Sequence, residues 1–304
     1  MVQRRIFLAA AAVGAGAGWW PTGHAEGQKT MGPASESLEQ ALGRIESAVG
    51  GRLGVAVLDT ETGRQAAHRG DERFPLCSTF KLLLAAQVLH RVDQGQERLD
   101  RRVTYRRADL VEYSPATAPH ADAGGMTVGQ LCEAAVTLSD NTAANLLLAS
   151  QGGPLALTAW LRTLGDGHTR LDRGEPELND VPPGEVRDTT TPWAMARTVQ
   201  AIALGPALTE AGREQVRAWL AGNRTGDKRL RAGMPAGWHI GEKTGTGPRG
   251  TSNDAGLFWP PGRGPVVVSC YLTGSPASAE RRDAAIAEVG ALAARWVLGT
   301  VKAS

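Results

Sequence analysis

Ser78 and Lys81 stand three residues apart in the segment LCSTFK, at the front of the apolar run LLLAAQVLHRV. On a helix, residues three apart share a face with Cβ atoms roughly 5–6 Å apart, so a hydroxyl and an amine so placed can meet. That pairing is a nucleophile with a base beside it. Composition makes the lysine informative. Only five of the 33 basic residues are lysine: Lys29, Lys81, Lys228, Lys243 and Lys302. A chain that otherwise uses arginine has a reason to keep lysine where the side chain must lose a proton, which arginine in practice cannot do. A serine at the head of a helix also lies in the positive end of the dipole, which favours negative charge on its own oxygen or on an attacked carbonyl.

Three further segments carry polar groups that could join this pair. Ser139-Asp140-Asn141 forms a short turn between two helical patterns and can project side chains into a cleft. Glu242-Lys243-Thr244-Gly245-Thr246-Gly247 reads as a strand whose glycines let a ligand lie against the backbone. The stretch RLDRGEPELNDVPPGEVRD is a long loop of Pro, Gly and charge, and loops of that length in compact domains usually carry function. Within it Glu175 and Asn179 are four apart, so a carboxylate and an amide could hold one water between them. Singly, these patterns also describe a capped helix, a capping turn, an edge strand and a solvated loop. Their information lies in occurring together.

The elements that must position these groups follow from periodicity. From Arg52, LGVAVLDTETGRQAAHRG alternates apolar and polar residues and turns at Glu61-Thr62-Gly63, a β-hairpin. Helical patterns then run from Ser78 to about Asp93, Thr127 to about Leu138, Thr142 to Ser150, Pro154 to Leu164, Thr191-Pro192 to Leu204 and Thr209 to Leu220. Strand signals return in HIGEKTGTG, TSNDAGLFWPP and GPVVVSCYLTG, and a helix from Ala277 to about Trp296 closes the chain. Strands at both ends with helices between predict an α+β fold: a discontinuous α/β domain whose antiparallel sheet is assembled from both termini, plus an inserted all-α domain. The expected boundaries are 34–68 and 230–304 for the α/β domain and 69–229 for the helical one, with the active site in the cleft between them.

Charge and cysteine content narrow the class. With 33 basic and 31 acidic residues and no run of five like charges, nothing points to nucleic acid. The six histidines are scattered without a ligand motif and the cysteine spacing matches none, so neither a metal nor another cofactor is expected. Residues 1–25 read as an export signal: Arg4-Arg5, an apolar stretch, and a small-residue ending at Ala25. The Arg4-Arg5 pair before Ile6-Phe7-Leu8 resembles a twin-arginine signal, with an ordinary secretory signal and a retained anchor as alternatives. Its removal takes away two arginines and no acids, leaving a near-neutral chain. The expectation is a monomer, periplasmic or secreted from a bacterium, without a stable membrane anchor.

Together, Ser-x-x-Lys at Ser78, Ser-Asp-Asn at Ser139 and Lys-Thr-Gly at Lys243, in that order and at wide spacing, resemble the signature of class A serine β-lactamases and penicillin-binding proteins. Glu175-Pro176-Glu177-Leu178-Asn179 resembles the Glu-x-x-Leu-Asn segment of the class A enzymes, which penicillin-binding proteins lack. The resemblance runs from about Ser35 to the last helix. It implies that Ser78 attacks the lactam carbonyl while its proton leaves through Lys81 or through a water on Glu175. It further implies an oxyanion hole from the backbone N–H groups of Ser78 and Thr246, a proton relay at Ser139, and a contact from Asn141 to the substrate's side-chain amide. Lys243, Thr244 and Thr246 would bind the substrate carboxylate, and Glu175 with Asn179 would activate one catalytic water. Arg173 and Asp188 match an ion pair pinning the loop, Tyr113 an aromatic at the cleft mouth, and Arg229 a position where some members place the guanidinium that supports the carboxylate pocket, while Ser252 occupies the place where others have that arginine. Cys132 lacks its familiar partner, since Ala85 stands there, and Gly247 stands where some carbapenem-hydrolysing members bridge the position of Cys77, so three free thiols are expected. A D-alanyl-D-alanine peptidase sharing the three motifs, and a non-catalytic penicillin-sensing domain, remain open at this point.

Overall fold

The computed structural model describes residues 37–300 of the 304; the expected export signal lies outside the described residues. It opens on a helix that the sequence expectations lack, α1 (Leu38–Val49). Its marks are nevertheless in the sequence. Ser37 and Gln40 form a reciprocal capping box, and the buried residues Leu38, Ala41, Leu42, Ile45 and Val49 recur at helical spacing.

The hairpin follows as β1 (Arg52–Asp59) and β2 (Gln65–His68), with Val55 opposite His68 and Leu58 opposite Gln65. Three late strands complete the sheet: β3 (His239–Gly247), β4 (Thr251–Trp259) and β5 (Val266–Thr273). The order is β2-β1-β5-β4-β3 and every pairing is antiparallel, so the first and last parts of the chain meet where β1 pairs with β5. This is the α+β architecture read from the sequence. Both faces of the sheet are covered, which explains the nearly continuous apolar runs. Along β5, Val266, Val268, Cys270 and Leu272 join one core with α1 and the last helix, while Val267 and Tyr271 join the other. Alternate side chains point to opposite faces of a strand, so one apolar run feeds two cores.

Between the strand sets lie α2 (Phe80–Asp93), α3 (Val128–Thr137), α4 (Asn141–Ser150), α5 (Pro154–Thr163), α6 (Pro192–Ala203) and α7 (Glu210–Ala221); α8 (Ala279–Val297) closes the fold. Local chemistry fixes their starts. Thr127, Asp140, Thr191, Thr209 and Ser278 each accept a backbone N–H as N-cap, and such caps contribute about 1 kcal/mol each. The helix expected from Ser78 begins one turn differently: Cys77–Thr79 is a 3-10 turn, and the α-helix opens at Phe80. From Phe80 to Leu89 every α2 residue is buried, as befits a helix surrounded by others. Among the described residues no helix is long and apolar enough to cross a membrane.

Candidate active site

The chain reaches Ser78 through a tightly held approach. Phe74–Pro75 pairs with Thr189–Thr190, and Leu76 N donates to Asp188 O at 2.8 Å, so the start of α2 is stitched to the end of the long loop. Asn253 Nδ2 donates to Pro75 O (2.9 Å) and Leu76 O (3.2 Å), and the Thr79 hydroxyl donates to Leu76 O at 2.7 Å. Two glycines of β3 let the strand approach this turn. A Cβ on Gly245 would lie 3.0 Å from Leu76 O, and one on Gly247 only 2.7 Å from Cys77 Sγ. The backbone is held in an unfavourable region around the site. Cys77 (φ 43°), Tyr113 (φ 63°), Ser139 (φ 60°) and Asp188 (φ 56°) are all left-handed, a conformation that costs a non-glycine residue about 1–3 kcal/mol.

Lys81 is the hub. Its Nζ, fully buried, donates to Ser78 Oγ at 3.0 Å and Ser139 O at 2.8 Å, and also to Asn141 Oδ1. It forms an ion pair with Glu175 Oε1 at 2.9 Å, and Ser78 Oγ lies 3.3 Å from that same oxygen. Burial pushes the Lys81 amine below the usual lysine range, and the Glu175 carboxylate draws it part of the way back. Lys243 approaches from the other side. Its Nζ donates to Ser139 Oγ at 3.1 Å and to Thr244 O at 2.9 Å, so Ser139 lies between two lysines. Burial and the nearby Lys81 cation hold Lys243 well below the usual lysine range.

The loop delivers Glu175 and Asn179 together. Asn179 Nδ2 donates to Glu175 Oε2 and, at 3.0 Å, to Pro176 O. The loop base is closed by Arg173 Nε on Asp188 Oδ2 at 2.6 Å, with Asp188 fully buried and accepting also from the backbone N–H groups of Asp172 and Arg173. Arg229, only 8% exposed, spans the end of β3: NH1 donates to Gly245 O and Asn253 O, and NH2 to Thr246 Oγ1, each at 2.8 Å. Ser252 is occupied otherwise, accepting from Arg282 Nε at 3.2 Å. Thr244 Oγ1 is bonded to Thr225 Oγ1. Tyr113 stands apart from these contacts, its side chain exposed and only its backbone O tied to the cluster through Asn141 N at 3.0 Å.

The arrangement can activate a hydroxyl, receive its proton and hold an anion beside it. The family of the chain is decided by its match, over residues 37–297, to the model of the β-lactamase enzyme family. The chain belongs to the β-lactamase enzyme family. It is 47% identical over 297 residues to a β-lactamase of Streptomyces fradiae, covering 96% of each chain, and 46% identical over 253 residues to β-lactamase Toho-1 of Escherichia coli, covering 83% of this chain and 87% of that one. An ancestral class A β-lactamase superposes with a TM-score of 0.83 at 65% identity, covering 84% of this chain and 98% of that chain. Family membership makes the chain a hydrolase of class A architecture.

Several β-lactamase residues escaped the sequence reading. Asn145 holds the loop at both ends of one residue: its Oδ1 accepts from Glu175 N at 2.9 Å and its Nδ2 donates to Glu175 O at 2.8 Å. The available signal was its place one helical turn after Asn141, on the same face. Asn253, Thr225 and Asp283, which pairs with Arg229 at 2.8 Å, gave no signal, because the partners Pro75, Thr244 and Arg229 come from distant segments. Cys77, Cys132 and Cys270 are buried and unbridged, with burial pushing each thiol well above the usual range. Among the described residues no group of three or more His, Cys, Asp or Glu is placed to hold a metal ion.

Proposed function

We propose that this enzyme opens the β-lactam ring of penicillins and cephalosporins through an acyl-enzyme on Ser78, and so confers resistance to them. The observation that carries the reading is the triangle of Ser78 Oγ, Lys81 Nζ and Glu175 Oε1, with sides of 3.0, 2.9 and 3.3 Å. Two proton routes lead from the hydroxyl, one through Lys81 and one toward Glu175, and both end on the Glu175 carboxylate. As Ser78 Oγ bonds to the lactam carbonyl carbon, the N–H groups of Ser78 and Thr246 receive the oxyanion, an interaction type worth about 3–4 kcal/mol per donor. Ser139 then passes a proton to the departing lactam nitrogen and takes one in turn from Lys81, which recovers the Ser78 proton from Glu175 and leaves that carboxylate ionised for deacylation. Lys243, Thr244, Thr246 and Arg229 receive the substrate carboxylate, Asn141 its side-chain amide, and the exposed Tyr113 ring its flank.

Deacylation assigns one water to Glu175 and Asn179. Asn179 Oδ1 is buried with no partner among the described residues and is free to accept from that water. Arg173 and Asp188 keep the loop in register, and no cofactor is required. The Glu175 loop favours a hydrolase over a D-alanyl-D-alanine peptidase or a penicillin sensor, since it supplies the group that hydrolyses the acyl-enzyme. Residues 69–229 form the inserted helical domain, the described parts of 34–68 and 230–304 the α/β domain, and the site lies in their cleft. The signal over residues 1–25 delivers a monomer to the periplasm or medium.

Mass spectrometry of Glu175→Ala treated with a penicillin should show a persistent adduct on Ser78. Its absence, or wild-type release of D-alanine from peptides without turnover of nitrocefin, would overturn the reading.

A further inference from the structure

A cavity of about 630 Å³ is lined in part by the Glu175 loop and shares no lining residue with the reactive cluster. That volume lies within the roughly 300–1,000 Å³ of small-molecule sites. The loop segment 181–186 forms one wall, and the end of the sheet at Arg52 and Thr273 forms another. Pro75, Val181, Pro182, Pro183 and Val186 make the lining largely apolar, and Val186 is 44% exposed although it is a large aliphatic side chain.

The charges of the lining leave one group unmatched. Arg52 pairs with Glu72 at 2.9 Å, Arg249 with Asp180 at 2.7 Å, and Glu185 with Arg187 at 2.6 Å. Arg73 has no carboxylate partner among the described residues. It donates only through NH1, to His168 O at 2.8 Å and Thr189 Oγ1 at 3.0 Å, leaving NH2 and Nε without a protein acceptor. A guanidinium with two free donors beside an apolar wall matches a carboxylate bound at its edge, with a compact hydrocarbon body behind it.

We infer that this cavity is a second binding site, for a small carboxylate with a compact apolar body, its charge on Arg73 and its body against Val181 and Val186. An occupant bridges the loop wall to the sheet wall. It therefore braces the segment that carries Glu175 without touching the residues proposed for the chemistry, and the site stands independently of the hydrolytic reading.

Isothermal titration calorimetry of the purified enzyme with sodium 4-tert-butylbenzoate tests this. The expected result is one saturable site, weakened at least about tenfold in Arg73→Gln, where the charged pairing is lost. The neutral isostere 4-tert-butylbenzamide should bind as weakly to the wild type as the carboxylate does to Arg73→Gln. Val186→Trp, which fills the cavity, should abolish the heat while circular dichroism shows a retained fold; should that variant fail to fold, the Arg73→Gln and amide results decide. Nitrocefin hydrolysis under saturating benzoate should keep its KM. No saturable heat, equal affinity in Arg73→Gln, or a KM that rises in proportion to the benzoate would overturn the proposal, the last by placing the ligand at Lys243.

Discussion

The two buried lysines sit on opposite sides of Ser139, yet their surroundings differ in kind. Lys81 has a buried carboxylate at 2.9 Å and oxygen acceptors on Ser78, Ser139 and Asn141, so its charge is neutralised within the protein. Lys243 has a hydroxyl and a carbonyl but, among the described residues, no carboxylate within ion-pair distance. Asp254, a buried acid on the neighbouring strand, makes no ion pair with it. Burial and the neighbouring Glu242 hold the Asp254 carboxyl well above the usual carboxylate range, which disfavours its charged form. A neutral, closed circuit suits proton movement, whereas a cation without a counter-ion suits an anionic ligand, because the ligand's charge then relieves a cost the free enzyme bears.

Exchanging Lys81 for arginine and Lys243 for a neutral residue tests that distinction. Lys81→Arg should lower kcat by about 10²–10⁴-fold, since the proton route through residue 81 closes while its charge remains. Stopped-flow rates of nitrocefin acylation measure it, and near-wild-type acylation would break the contrast. Lys243→Gln should act mainly through binding, raising KM for carboxylate-bearing substrates by roughly 30-fold or more, a loss in the range of truncated charge pairs. A fall in kcat with unchanged KM would assign Lys243 to the same circuit as Lys81.

The pH profile sharpens the same comparison. Lys243 is held low, so raising pH through its depressed pKa discharges it, and kcat/KM should fall along an alkaline limb that Lys243→Arg moves to higher pH. Stability moves the other way. Between that depressed value and the ordinary lysine pKa the unfolded chain binds the extra proton, so this residue makes folding more favourable as pH rises and less so as it falls. The smallest effect expected is at the loop rim. The Arg249–Asp180 pair is exposed on both sides, and Arg249→Ala should change unfolding free energy by only about 0.5 kcal/mol in urea titration.

How much of this was legible beforehand depended on where each partner lies. The strand His239–Gly247 and the caps Thr127 and Thr191 could be read from local alternation and side-chain oxygens, because their causes lie within a few residues. The helix Leu38–Val49 has equally local causes, a capping box and apolar residues at helical spacing, although the sequence expectations omit it. Asn145 was half legible, through its spacing from Asn141.

The sequence by itself determined the inventory: which hydroxyl, which two lysines, which acid loop, and an apolar rhythm able to make strands at both ends with helices between. Only the tertiary structure decided that Lys81 is neutralised and Lys243 is not, that Asn145 and Asn253 hold the loop and the approach to Ser78, and that Arg73 faces a cavity without a counter-charge. The reason is physical. Propensity and capping act over a few residues, whereas burial, and with it the electrostatic value of every charge, exists only once distant segments have excluded water together.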